Sequence, residues 1–244
     1  MAGNRELWQD DIEMLSPLNR NPDVLGSFVV PKKITLVDAT IREGEQGTAA
    51  GFTLEQKKEY IRKAAAAGVE LIQLPLARDM DALKELTDLI REEKLPVKTE
   101  VLSMAPLFDR DAQHKSFDSL LDLGIDYIDV LSMLYKQALP MYQGAPPEML
   151  YTDAAGQIEY IKSQGGHCSY DVLDTPRTGI AITLKAFRAA VDAGVDRLRV
   201  LDTNGTANPA AWRAIVRSVK EAFPEVPLSI HCHNDFGQAM ANVF

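Results

Sequence analysis

The chain has 244 residues, 46% of them hydrophobic and 25% charged, with a formal net charge of −9. That length buries a full core, and the acidic excess argues against nucleic acid as a partner, because phosphate contacts need clustered Lys and Arg. No uncharged apolar run approaches the roughly 18 residues of a membrane span, no apolar segment follows Met1 as in a secretory signal, and Cys168 and Cys232 lack CxxC spacing, so the expected setting is the reducing cytoplasm, away from membranes.

Residues 1–33 contain Pro17, Pro22 and Pro31 and read as an irregular N-terminal extension. Strand signals then follow at 34–37, 69–74, 96–102, 125–131, 166–171, 195–201 and 226–231, the fifth being the weakest. Amphipathic helical stretches lie between them at 53–67, 79–94, 109–123, 149–164, 178–193 and 208–223. Thr53 with Gln56 has the spacing of a capping box. Gly68, Gly124 and Gly194 stand where a helix stop wants a left-handed residue. Asn208-Pro209 supplies a cap followed by proline in the first turn.

Strand signals recur roughly every 28–35 residues, the length of one βα unit, which implies parallel strands with crossover helices. A (β/α)8 barrel and a doubly wound sheet both fit that alternation. The absence of GxGxxG after the first strand disfavours the dinucleotide-binding sheet. The fold class expected is therefore a (β/α)8 TIM barrel over residues 34–244, truncated before the eighth strand.

Two segments carry chemistry. Asp38-Ala39-Thr40-Ile41-Arg42-Glu43-Gly44-Glu45-Gln46 follows the first strand, and His231-Cys232-His233-Asn234-Asp235 ends the seventh. Both fall at C-terminal strand ends, where parallel α/β folds place their sites. His231 and His233 share one face of a strand, and Cys232 points the other way. Two imidazoles plus a carboxylate from a distant strand would make a facial metal site with open positions. Taken alone, an HxH pair is often accidental and an Arg-Glu pair is often a surface ion pair; it is their placement at the same end of the sheet that favours a site. Cys232 reads as a core residue, Asp38 as a structural acceptor, and Asn234 and Asp235 as loop or helix-cap residues. His114 and His167 lack partners in the sequence.

These motifs resemble those of the DRE-TIM metallolyase superfamily, most closely the 2-isopropylmalate, homocitrate and citramalate synthases, with HMG-CoA lyase and the pyruvate aldolases as relatives. The resemblance runs in order from about residue 34 to the last residue and takes in Asp202-Thr203-Asn204-Gly205-Thr206-Ala207-Asn208-Pro209. It implies a TIM barrel in which Glu43, His231 and His233 ligate a divalent metal (Mg²⁺, Mn²⁺ or Zn²⁺). It implies that Arg42 stabilises an enolate or alkoxide oxygen, and that Asp171 is catalytic. Arg42, Gln46, Ser169 and Thr203 would bind the substrate.

The implied activity is Claisen-type condensation of acetyl-CoA with a 2-oxo acid by an acyltransferase of amino-acid biosynthesis, a cytoplasmic homodimer. Carbon–carbon cleavage at the same site, as in a lyase or aldolase, and a truncated barrel without catalysis remain the alternatives. Arg42-Glu43-Gly44-Glu45-Gln46 favours the synthases, whereas Gly237-Gln238-Ala239 has lyase character. Strand two carries Gln73 where the synthases have glutamate. Strand three lacks a basic residue, and Tyr170-Asp171 stands where a Glu-Asp pair is common.

Overall fold

The computed structural model describes residues 33–46 and 51–243, together with Asp23. Apart from Asp23 and Lys33, the extension expected over 1–33 lies outside the described residues. The unit from Leu36 onward alternates strands and helices. Strand β1 (Val37–Asp38) leads into the short helix α1 (Thr40–Gln46), then α2 (Leu54–Ala66). Next come β2 (Leu71–Gln73), α3 (Met80–Glu92), β3 (Lys98–Leu102), α4 (Arg110–Asp122) and β4 (Tyr127–Met133). A 3₁₀ turn at Leu139–Tyr142 precedes α5 (Pro147–Ser163), β5 (Cys168–Leu173), α6 (Thr175–Thr178) and α7 (Ile180–Asp192). The series ends with β6 (Arg197–Asp202), α8 (Pro209–Ala222), β7 (Leu228–Cys232) and α9 (Ala239–Val243).

Helix ends form where the cap residues stand. The Thr53 hydroxyl accepts from the Gln56 N–H, and the Gln56 side chain accepts from the Thr53 N–H. Gly68, Gly124 and Gly194 adopt φ of +87°, +74° and +91°, the left-handed conformation that ends a helix without side-chain strain. Asn208 caps α8 by accepting from the Ala211 N–H. Every strand begins two or three residues after its signal, and two of them show why. The 34–37 signal yields pairing only at Val37–Asp38, and Ile34 and Leu36 stay exposed. The fifth strand starts at Cys168 rather than 166, because the Gly165 and Gly166 N–H groups bond back to Lys162 and Ile161 and close α5.

All seven strands are parallel and pair in chain order, β1 to β7. The sheet is curled. Glu100 on β3 and Arg199 on β6 are three strands apart, about 14 Å in a flat sheet, yet their side chains meet at 2.6 Å. The architecture is thus an open seven-stranded parallel half-barrel, an incomplete TIM barrel surrounded by helices.

Strand alternation divides the interior from the core. Ile72, Val101, Ile128, Val130, Tyr170, Val172, Leu198 and Val200 belong to the buried apolar cluster shared with the helices, which add Ile61, Leu83, Phe117, Ile158, Phe187 and Trp212. The residues between them are polar: Gln73, Glu100, Asp129, Ser169, Asp171 and Arg199 are all buried. The stabilising apolar layer lies outside the sheet, and the barrel interior is given over to hydrogen bonds and charge.

Candidate metal centre

The mouth of the half-barrel gathers its charged groups from opposite ends of the sheet. The Asp38 carboxylate, at the end of β1, accepts from the Thr40 N–H at 3.0 Å and the Tyr60 hydroxyl at 2.7 Å, fixing the turn into α1. The structural role expected for Asp38 is what these bonds describe. The turn delivers Arg42 and Glu43. On the far edge, β7 delivers His231 and, just past its end, His233, whose N–H donates to the Asp202 carbonyl at 3.1 Å. Gly205, at φ +61°, packs beneath this segment. A Cβ there would sit 2.9 Å from the His233 carbonyl oxygen, so the loop after β6 can approach only as glycine.

Glu43 Oε1 lies 3.2 Å from His231 Nε2 and 3.9 Å from His233 Nε2, and one ligand atom from each residue falls within 4.8 Å of the others. The three side chains are partly open to solvent, at 30%, 19% and 36% exposure. Burial pushes the Glu43 carboxyl up. The His231 hydrogen bond and the charges of Arg42, His231 and His233 outweigh it and hold the group at about 2. Glu43 is therefore an anionic donor at neutral pH. One carboxylate oxygen and two imidazole nitrogens, converging and partly exposed, fit a divalent cation with positions left for a ligand. Cys232, between the histidines, packs against the apolar core instead, and burial pushes its thiol up to about 12.

Arg42 is buried beside this cluster. Its Nε and Nη2 donate to Gln73 Oε1 at 2.9 and 2.7 Å, its Nη1 donates to Gln46 Oε1 at 2.8 Å, and it forms an ion pair with Glu43. The structure thus brings together Arg42, Glu43, Gln46, His231 and His233. Thr203, in the loop after β6, accepts the Asp174 N–H at 2.9 Å. Asn234, in the loop after β7, accepts the Ala239 N–H at the start of α9 from five residues upstream. His114 stacks on Tyr160 and His167 faces Asp196, so both have structural partners.

Ser169 and Asp171 occupy a second, closed cluster. Arg199 Nη2 donates to Glu100 at 2.6 Å, and its Nη1 meets Asp129 at 2.6 Å and Asp171 at 3.0 Å. Arg197 donates to Glu100 and Ser169, and the Ser169 hydroxyl donates to Glu100 at 2.6 Å. Burial raises the Glu100 carboxyl, but the charges of Arg199 and Arg197 prevail and hold it at about 2. Asp129 goes the other way. Burial and then the Asp171 charge push it well above its ordinary value despite Arg199, and its Oδ1 has no hydrogen-bond partner. Glu100, Asp129 and Arg199 were not anticipated as a cluster, although each has the parity of His231 and His233 in its strand.

A curled parallel β/α sheet thus carries a two-histidine, one-carboxylate cluster, a candidate metal site, at its C-terminal rim. Residues 33–244 match the HMGL-like family, and the chain belongs to it, within the DRE-TIM metallolyase superfamily. It is 30% identical over 222 residues to the 2-isopropylmalate synthase of Methanocaldococcus jannaschii, covering 89% of this chain and 40% of that protein. It is 28% identical over 240 residues to a homocitrate synthase of the same organism, covering 97% of this chain and 55% of that one. The chain spans about half the length of these curated relatives. Among solved structures, the HMG-CoA lyase of Brucella melitensis matches with a TM-score of 0.72 at 16% identity, over 87% of this chain and 76% of that one. Among the described residues no helix is long and apolar enough to cross a membrane.

Proposed function

We propose that the chain carries the site for metal-dependent Claisen condensation of acetyl-CoA with a 2-oxo acid. The observation that carries this reading is the Glu43–His231–His233 cluster with the Arg42 guanidinium fixed beside it. Similarity to 2-isopropylmalate and homocitrate synthases supports it.

A divalent cation held by Glu43, His231 and His233 supplies Lewis acidity toward the oxo-acid carbonyl. Arg42 faces the same position and holds negative charge that develops on oxygen, without reorganising, because its fork is already clamped. Gln46 steadies its Nη1. The Thr203 hydroxyl has its oxygen engaged by the Asp174 N–H, which leaves its proton for the substrate carboxylate. Ser169 and Asp171 act from beneath, by holding the ionic layer on which Arg42's partner Gln73 rests. The same reading takes the chain as a cytoplasmic homodimer, which light scattering checks in solution.

CoA thiol release from acetyl-CoA, measured with a panel of 2-oxo acids and with Mg²⁺, Mn²⁺, Zn²⁺ or none, tests the proposal. Release that requires both a cation and one oxo acid is expected. Cleavage of a 3-hydroxyacyl-CoA without any such release would replace condensation by the lyase reaction.

A further inference from the structure

Gln73 bridges the open cluster and the closed one. Its Oε1 accepts both Arg42 donors, and its Nε2 donates to Glu100 Oε2 at 2.7 Å. Gln73 is 3% exposed and Glu100 0%. The opposite amide orientation would set NH₂ against a guanidinium and oxygen against a carboxylate, so only one orientation is possible. Glu100 is itself pinned by Arg199, Arg197 and Ser169. Arg42 therefore leans, through a single amide, on a buried, ion-paired layer.

The bridge is neutral. A carboxylate in the place of Gln73 would grip the same fork and cancel its charge. The amide fixes the fork and cancels nothing. Among the described residues, Arg42's carboxylate partner is Glu43, which belongs to the metal cluster.

We propose that Gln73 is a positioning residue that clamps Arg42 through two uncharged hydrogen bonds, leaving the guanidinium's charge for the anionic oxygens of a 2-oxo acid. The inference rests on the reading of the site as an oxo-acid site. Gln73→Met keeps the side chain's length and removes both bonds. Gln73→Glu keeps the grip on Arg42 but neutralises it, and opposes Glu100 with a second carboxylate.

Calorimetric titration tests this without turnover. Mn²⁺ is titrated first; then pyruvate, 2-oxoisovalerate and 2-oxoglutarate are titrated into the Mn²⁺-loaded protein with no acyl-CoA present. Mn²⁺ affinity in both variants is expected to stay within about threefold of the original, which also certifies the fold. Affinity for the tightest-binding oxo acid is expected to fall about tenfold in each. In an Arg42→Lys background, which keeps a cation but no fork, Gln73→Met is expected to cost less than about twofold, because the two residues act as one unit. If Gln73→Met is insoluble, Gln73→Leu, which also removes both bonds without adding charge, carries the test in both backgrounds. Equal losses in both backgrounds, or no loss in the original one, overturn the inference. An original chain that binds Mn²⁺ but none of the three oxo acids overturns the site reading itself, and the inference with it.

Discussion

Two clusters of charge share one barrel and obey different rules. The lower one, around Arg199, is closed. Its residues are almost fully buried; the Arg199 fork meets carboxyl groups from three other strands, and Arg197 adds a second guanidinium on Glu100. The upper one, around Glu43, is open. Its side chains are a fifth to a third exposed, and two imidazoles converge on one carboxylate. Charge buried with all its partners present holds a structure together only as a set, because removing one member strands the rest. Charge left partly unmatched at a rim is available to a ligand. The lower cluster, on β3 to β6, is locked into the fold, whereas the upper one, from α1 and β7, is left open to a ligand.

The sharpest way to break the contrast is Arg199→Leu. It strands Glu100, Asp129 and Asp171 in the interior and should cost about 3–5 kcal/mol, read by urea unfolding. A loss below about 1 kcal/mol would mean that the lower cluster is not closed. Acid should attack the same layer. Glu100 is held at about 2 against an ordinary 4.5. Its contribution is therefore present above pH 4.5 and is lost as pH falls from there toward 2, on the order of 3 kcal/mol. Unfolding free energies measured from pH 5 to 2.5 should decline over that window, and Glu100→Gln should flatten the decline.

At the rim, Glu43→Ala or His233→Ala should lower divalent-metal affinity by at least about 100-fold, seen by calorimetry. Stability of the metal-free protein should change by less than about 1 kcal/mol. Arg42→Ala should keep the metal and lose CoA release. The smallest effect belongs to Asp129→Asn. A group raised above its unfolded value contributes stability below that value and loses it as pH rises. The neutral amide should therefore be tolerated within about 1 kcal/mol at pH 7, in contrast to Arg199→Leu.

How legible each cluster was in the sequence follows from the same difference. The rim was readable because its residues stand in two short, unusual segments, 38–46 and 231–235. The helices were readable from their caps, as at Thr53–Gln56 and Gly124. The lower cluster was not. In Arg197-Leu198-Arg199 or Ile128-Asp129-Val130, alternation fits a strand with one wet face equally well, and only closure of the sheet turns that face inward. Helix α6, at Thr175–Thr178, escaped notice because four residues carry no period. Strand β1 proved shorter than its apolar run because Ile34 and Leu36 lie outside the pairing.

The Glu43–His231 contact joins the first strand's end to the last strand, 3.2 Å apart across the open side of the sheet. A cation there would be a clasp between distant points of one polymer, closing a loop made of nearly the whole described chain. Pulled apart from handles near β1 and β7, the molecule would load that clasp before it loaded any strand pair between them. Its rupture force should therefore rise with added cation and fall with chelator.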